Sequence, residues 1–152
     1  MSRTPPANRT TPGRRADYRY FQDVTTRWKD NDAFGHVNNV EYFSYFDTAV
    51  TYFEVKQAGI ELPHGAIRCL VVEVICRYHK SVAFPDLLTV GLRIAHLGNS
   101  SVRYELAVFR EGEDDAAAEG HFIHVFVDAL TQRPVQIPPD VRANLQRYVT
   151  SA

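Results

Sequence analysis

The stretch DNDAFGHVNNVEYFSYFDTAVTYFEVKQAG, residues 30–59, places a polar loop directly before a long apolar stripe. Gly59 follows the stripe and suits the left-handed position at which many helices end. We therefore predict a helix over about residues 39–58, the longest in the chain. Its apolar side chains recur at spacings of three and four residues, which is the period of one helix face: Val40, Phe43, Phe46, Val50 and Phe53.

The start of this helix carries signals of its own. Asn38 is a favourable N-cap residue, and Glu41 stands three positions later, as in a capping box. The first turn of a helix presents free backbone N–H groups and a partial positive charge. The polar loop therefore leads into a terminus that can hold an oxyanion.

The rest of the chain is dominated by segments typical of strands. Short polar turns join the last four of these segments, so they should pair antiparallel. A short helix is expected after Pro138-Pro139, over residues 140–149. The order predicts an α+β fold, in which a curved antiparallel sheet of about five strands wraps on one long helix. Exposed sheet edges then favour a homodimer or homotetramer. The predicted strands are rich in β-branched and aromatic residues: residues 18–28, 67–80, 87–97, 102–108 and 119–129.

Composition is typical of one globular domain. The 152 residues are 45% hydrophobic and 23% charged, with a net charge of −1, which does not indicate nucleic acid as a partner. Four arginines and no acidic residue fall within residues 1–16. We interpret residues 1–16 as a disordered basic tail and residues 17–152 as the folded domain.

The two cysteines and the hydropathy pattern bear on location. Cys69 and Cys76 lie seven residues apart in a predicted strand, and strict alternation would put them on opposite faces. We therefore expect no disulfide between them and a reduced, cytoplasmic protein. No apolar run is long enough for a secretion signal or a membrane span, so no membrane association is predicted.

Asp32 is the first candidate for chemistry. It lies six residues before Asn38, in a loop that Gly35 allows to turn sharply. A carboxylate beside a helix N-terminus is the minimum apparatus for attack on an acyl carbonyl, because the terminus stabilises developing negative charge. Asp32 would act as nucleophile, through a mixed anhydride, or as general base on water. The sequence leaves that choice open.

A calcium site competes with this interpretation of the loop. Counted from Asp30, the loop has most features of an EF-hand, including Gly35 at position six and Glu41 at position twelve. However, position five is Phe34, and a strand precedes the loop where an EF-hand needs a helix. We therefore do not favour calcium.

Other metal and nucleophile chemistry is also disfavoured. No established ligand spacing joins Asp30, Asp32 and His36, while His121 and His124 fall on opposite faces of a strand. No serine elbow motif occurs, and both cysteines lie inside a strand pattern. We predict no metal.

The pattern Asp30-x-Asp32-x-x-Gly35-His36-Val37-Asn38-Asn39-x-x-Tyr42 resembles the hotdog-fold acyl-CoA thioesterases of the 4-hydroxybenzoyl-CoA thioesterase family. Its HVNN portion is also similar to acyl-carrier-protein thioesterases. The later segments VICRYHKSVAFPDLLTVGLRI and GHFIHVFVDALTQRPVQIPPDVRANL resemble this family's second and third strands and its usual ending. The resemblance extends over about residues 18–147. It implies a hotdog fold and hydrolysis of acyl-CoA, with acyl carrier protein as a second possible carrier.

The resemblance also implies roles for single residues. Asp32 matches the family's catalytic carboxylate, and the backbone N–H at or near Asn39 would polarise the thioester carbonyl. His36 is a further catalytic candidate in the same loop. No cofactor is implied, since an aspartate can serve by itself, and the site would lie at a subunit interface. Three further residues would border the substrate: Gly35, Asn38 and Tyr42.

Two other functions remain open at this point. A hotdog hydratase or dehydratase also uses an aspartate and a histidine, which Asp32 and His36 would supply. A non-catalytic acyl-CoA-binding module is the second alternative, because a fold does not fix a function. Basic groups for the coenzyme A phosphates have several candidates, none of them favoured: Arg77, His79, Lys80, Arg103 and Arg133.

Overall fold

A computed structural model describes residues 11–150 of the chain. Short 3-10 turns cover Arg15–Asp17 and Trp28–Asp30, and one π-helical turn covers Glu54–Ala58. The two α-helices are α1 (Glu41–Phe53) and α2 (Pro139–Gln146). The five strands are β1 (Tyr20–Thr25), β2 (Ile67–Tyr78), β3 (Leu87–Leu97), β4 (Ser101–Arg110) and β5 (Ala118–Asp128).

The five strands form one antiparallel sheet in the order β1-β3-β4-β5-β2. In this order, β1 and β2 are the two edge strands. The helix α1 packs against the sheet, which covers it as one layer. The predicted α+β hotdog fold is confirmed, and each predicted strand is present.

The buried stripe of α1 has a slightly different phase from the predicted one. Val40 is 65% exposed, whereas Phe46 and Phe53 have no exposed surface. Full burial of each phenylalanine contributes about 1.5–3 kcal/mol, so these side chains fix the helix on the sheet. The side chains that α1 buries are Tyr42, Tyr45, Phe46, Ala49, Val50 and Phe53.

The end of the long helix matches the prediction. After α1 the chain continues through the π turn to Gly59, which adopts the left-handed conformation with φ of 79°. Glycine meets little steric penalty in that conformation. The predicted helix over 39–58 therefore corresponds to α1 plus the π turn, beginning two residues later than expected.

The β2 strand contains a bulge that simple alternation did not reveal. Its register with β5 shifts between Val71 and Glu73, so Val72 is an extra residue. Such an insertion reverses which side chains face the core beyond it. Cys69 and Cys76 therefore both pack against the core, and the expectation of opposite faces is wrong. Both thiols are free.

Residues 13–15 contact the segment around β5 and the turn before it. Gly13 N–H donates to Glu119 at 2.9 Å, and Arg15 N–H donates to the Asp114 carbonyl at 3.1 Å. The Arg14 guanidinium lies 2.7 Å from the Asp114 carboxylate. The division into a tail of residues 1–16 and a domain of residues 17–152 stays a prediction, since residues 1–10 lie outside the described part of the chain. Within residues 11–150, no helix is long and apolar enough to cross a membrane.

Candidate active site

The loop that precedes α1 is anchored by Asp30. This carboxylate has no exposed surface and accepts hydrogen bonds from the Tyr45 hydroxyl at 2.7 Å and the Arg27 backbone N–H at 2.9 Å. Arg27 Nε donates a further bond at 3.1 Å. Asp30 thereby ties the loop to the buried face of α1.

The pKa values of this pair follow from the same contacts. Burial alone would raise the pKa of Asp30, but the hydrogen bonds from Tyr45 and Arg27, together with the arginine charge, hold it below its ordinary value. Burial and the adjacent carboxylate raise the pKa of Tyr45. Asp30 is therefore an ionised structural acceptor, and Tyr45 is its protonated donor.

Asp32, two residues later, has a different environment. Its Oδ1 accepts the Phe34 N–H at 2.9 Å, and its own N–H donates to the His36 carbonyl at 2.9 Å. Among residues 11–150, Oδ2 of Asp32 has no hydrogen-bond partner. Gly35, with φ of 81°, allows the chain to turn between these contacts. Asp32 is held by the turn with one carboxylate oxygen free.

The start of α1 is built differently from a capping box. Asn38 Oδ1 accepts the Val40 N–H at 3.0 Å, and the Asn38 carbonyl accepts the Glu41 N–H at 2.9 Å. The Asn38 N–H donates to the Asp30 carbonyl instead of to Glu41, whose carboxylate lies 3.5 Å from Arg27. The predicted reciprocal cap is therefore wrong, because Arg27 competes for the acid.

This arrangement leaves the N–H of Asn39 unused. It donates to no backbone or side-chain acceptor in the described part of the chain. The Asn39 carbonyl accepts the Tyr78 hydroxyl at 2.9 Å, which holds the peptide beside the end of β2. A free N–H just before the first turn of α1 is the type of donor that stabilises an oxyanion.

A cavity of about 400 Å³ brings most of the predicted residues together. Asp32, His36, Asn39 and Tyr42 all line it. Gly35 and Asn38 do not line it, and they shape the loop through the turns described above. The remaining lining residues are Phe34, Val37, Tyr78, His79, Lys80 and Ser81.

The second wall, residues 78–81 at the end of β2, was largely missed from the sequence. His79 Nε2 lies 2.7 Å from the Glu119 carboxylate, and Lys80 Nζ lies 2.9 Å from Glu113. Both belong to the basic residues that the sequence offers for the coenzyme A phosphates. Their position beside the loop depends on the β2–β5 pairing, which no local signal encodes. Arg77, Arg103 and Arg133 are not among the lining residues.

Neither a metal site in the loop nor a cysteine nucleophile is supported by the structure. Asp30 points to Tyr45 and Arg27, so it does not converge with Asp32 and His36 on a metal. The only group of metal-binding type among residues 11–150 lies elsewhere in the fold. Burial raises the pKa of Cys76 to about 11 and that of Cys69 still further, which argues against either thiol as a nucleophile.

Comparison with known proteins places the chain in a family. The pattern of the thioesterase-like superfamily matches residues 26–145, and the chain belongs to this superfamily. This confirms the prediction of a thioesterase-type enzyme at the level of the superfamily.

Two solved structures illustrate the similarity. The PA5185 protein from Pseudomonas aeruginosa strain PAO1 is 48% identical, with a TM-score of 0.90 over 93% of this chain and 99% of that one. A thioesterase from Thermus thermophilus, complexed with coenzyme A and zinc, is 28% identical, with a TM-score of 0.73 over 85% and 98% of the two chains.

A curated relative matches over a shorter segment. The Bacillus subtilis protein YsmA is 27% identical over 89 residues, which is 58% of this chain. The matched segment spans 59% of YsmA, less than two thirds of its length.

Proposed function

We propose that this chain hydrolyses acyl-CoA thioesters to the free acid and coenzyme A. The observation that carries the proposal is the placement of the Asp32 carboxylate and of Asn39 on one cavity at the start of α1. A carboxylate facing a helix N-terminus suits a reaction in which negative charge develops on a carbonyl oxygen.

The chemistry assigns a separate task to each group. The thioester carbonyl accepts the unused N–H of Asn39, which stabilises the oxyanion as the carbonyl carbon is attacked. Asp32 Oδ2 either attacks that carbon itself or removes a proton from the attacking water. If water attacks, the C–S bond breaks, the acyl carbon keeps the water oxygen as the free acid, and the coenzyme A thiolate takes up a proton. If Asp32 attacks, C–S cleavage leaves a mixed anhydride on Asp32, and a water molecule then hydrolyses this anhydride to the free acid and restores the carboxylate. His36 is exposed on the same cavity and can orient water there.

Coenzyme A is proposed as the carrier for two reasons. The similar thioesterase from Thermus thermophilus is complexed with coenzyme A. In this chain, Lys80 and His79 place basic groups beside the cavity, and their contacts to Glu113 and Glu119 hold them there. Acyl carrier protein remains the alternative carrier. The finer assignment, to the 4-hydroxybenzoyl-CoA thioesterase family, is a proposal supported by the loop pattern around Asp32.

We also propose that the working unit is a homodimer or homotetramer in the cytoplasm. One edge strand of the sheet, β2, exposes a run of apolar side chains, with Val72 61% exposed. An exposed apolar edge strand is a template for pairing with another strand. Because the end of β2 also walls the cavity, a second copy paired there would complete the substrate site.

A thiol-release assay tests the proposed function. Short, long, branched and aryl acyl-CoAs, and an acyl carrier protein thioester, are incubated with the protein, and free thiol and carboxylic acid are both measured. Equal amounts of thiol and acid from at least one thioester are expected. Crotonyl-CoA that loses its enoyl absorbance without releasing thiol would instead indicate a hydratase. Acyl-CoA binding with no turnover of any member would indicate a binding module.

A further inference from the structure

A second polar cluster lies in the core, away from the cavity. The side chains of Glu54 and His124 are each only 5% exposed, and Glu54 Oε1 lies 2.7 Å from His124 Nδ1. The Tyr104 hydroxyl, fully buried, donates to the same carboxylate oxygen at 3.1 Å. The Cys69 thiol, which is partly buried, completes the group. Burying these polar groups is costly unless their bonding capacity is used.

The cluster joins three separate elements. Glu54 begins the π turn that follows α1, Cys69 lies on β2, and His124 lies on β5. Single π turns within helices are often found at functional sites. No feature of the hydrolysis proposed above requires this group.

The hydrogen bonds of the cluster leave one imidazole nitrogen of His124 without a partner among the described residues. His124 offers two ring nitrogens, of which Nδ1 meets Glu54. Its Nε2 is buried and has no hydrogen-bond partner within residues 11–150. Most buried polar atoms in proteins are paired, so this nitrogen is unusual. Nδ1 is the nitrogen that faces Glu54, so an ion held together with Glu54 would bind His124 at Nδ1, and Nε2 would carry the imidazole proton.

We infer that Glu54, Cys69 and His124 form a binding site for a divalent transition metal of the Zn²⁺ or Co²⁺ class. One donor atom from each residue lies within 4.8 Å of the others. Bonds of about 2.0–2.3 Å to one tetrahedral ion place its donors roughly 3.5 Å apart, so small side-chain adjustments suffice. Carboxylate oxygen, thiolate sulfur and imidazole nitrogen together favour Zn²⁺ and related ions over Mg²⁺ or Ca²⁺.

Binding is a proton exchange at the thiol. The S–H bond of Cys69 breaks, a metal–sulfur bond forms, and one proton passes to solvent. At His124 the proton on Nδ1 is replaced by the ion and is carried on Nε2 instead, so the ring stays neutral. The Tyr104 hydroxyl remains on Glu54 and orients that carboxylate as an outer partner. The ion thereby connects the end of α1 to β2 and β5.

The site is remote from the hydrolytic one. Glu54 follows the last residue of α1, whereas the cavity lies at the start of that helix. The 13 residues of α1 rise about 20 Å at 1.5 Å per residue. We therefore assign the metal to stabilising the attachment of the helix end, and not to the hydrolysis at Asp32.

Cobalt titration of the reduced full chain, stripped of metal with a chelator and kept free of oxygen, tests the site. One equivalent of Co²⁺ should produce a thiolate-to-cobalt charge-transfer band in the near ultraviolet and the visible bands of a tetrahedral ion. Zn²⁺ should displace the cobalt and raise the melting temperature. Cys69→Ser should abolish the charge-transfer band, whereas Cys76→Ser, at the other free thiol, should retain it.

Two more variants keep the test informative if one of them folds poorly. Tyr104→Phe should weaken Zn²⁺ binding by about tenfold, as expected for loss of an outer partner. Asp32→Asn should bind cobalt like the wild type, which separates this site from the hydrolytic proposal. A folded wild type that binds no cobalt, or a band that survives Cys69→Ser, would overturn the assignment.

Discussion

Two acidic residues in one loop, Asp30 and Asp32, have opposite environments. Asp30 is buried, and its carboxylate accepts three hydrogen bonds. The Asp32 carboxylate accepts one, and its second oxygen meets no donor from residues 11–150. The sequence identified Asp32 as the candidate from its place in the loop pattern. It did not identify Tyr45 as the partner of Asp30, because that contact exists only once α1 is docked.

Replacing Asp30 should lower the stability of the fold more than the rate of hydrolysis. Asp30→Asn keeps the shape of the side chain but replaces one acceptor oxygen by an NH₂ group. The three donors that now meet the carboxylate, which are the Arg27 N–H, Arg27 Nε and the Tyr45 hydroxyl, then share a single oxygen. We expect a loss of about 1–3 kcal/mol in the free energy of unfolding, since buried donors lose a partner. Urea unfolding at neutral pH measures it. Asp47→Asn, on the exposed face of α1, is the control and should be nearly neutral.

The effect of Asp30 should depend on pH in a defined direction. The pKa of Asp30 in the folded protein lies below its ordinary value of 3.8, so the ionised group stabilises the fold above that pH. The contribution is lost as the pH falls through the folded-state pKa. The stability gap between wild type and Asp30→Asn should therefore shrink below about pH 4. A stability difference that widens on acidification would contradict the conclusion that Asp30 is ionised in the folded protein.

At the scale of elements, strand and helix positions were accessible from residue patterns, but their irregularities were not. Alternating apolar residues located every strand, and apolar residues at spacings of three and four located the long helix. The bulge at Val72 and the delayed start of α1 were missed, because they depend on the partner strand β5 and on Arg27. Local pattern fixes the type of an element, whereas its partners fix the register.

Gly59 tests the predicted end of the long helix. Alanine at this left-handed position should cost about 1–2 kcal/mol in the free energy of unfolding, since its Cβ disfavours positive φ. Asparagine tolerates this conformation better, so Gly59→Asn should cost less. The nearest atom to a new Cβ, Asn144 Nδ2 at 3.6 Å, leaves room for either. Equal stability of both variants and the wild type would rule out a conformational role.

At the scale of the whole molecule, the sheet has an edge strand with an apolar surface. Sequence reasoning predicted self-association from exposed edges in general, but it could not say which strand would be the apolar one. The structure places β2 at the edge and exposes several of its apolar side chains. It also sets the end of that strand beside Asp32, so assembly and activity should be linked.

A charge on this edge should separate the subunits. Val72→Asp would bury a carboxylate in the proposed interface, and we expect association to weaken at least about tenfold, with a fall in turnover at low protein concentration. Sedimentation velocity measures the first effect. Leu130→Asp, at a side chain 94% exposed in the turn that follows β5, should alter neither. A wild type that is monomeric and fully active would contradict the proposed assembly.

The central claim is that the Asp32 carboxylate performs the hydrolysis, and the turnover number of Asp32→Asn on a good acyl-CoA substrate tests it most directly. We predict a fall of at least about a hundredfold, as for loss of a catalytic acid–base group, with an unchanged melting temperature. The matched variant Asp47→Asn should keep full turnover. An Asp32→Asn protein that releases thiol as fast as the wild type would contradict the account.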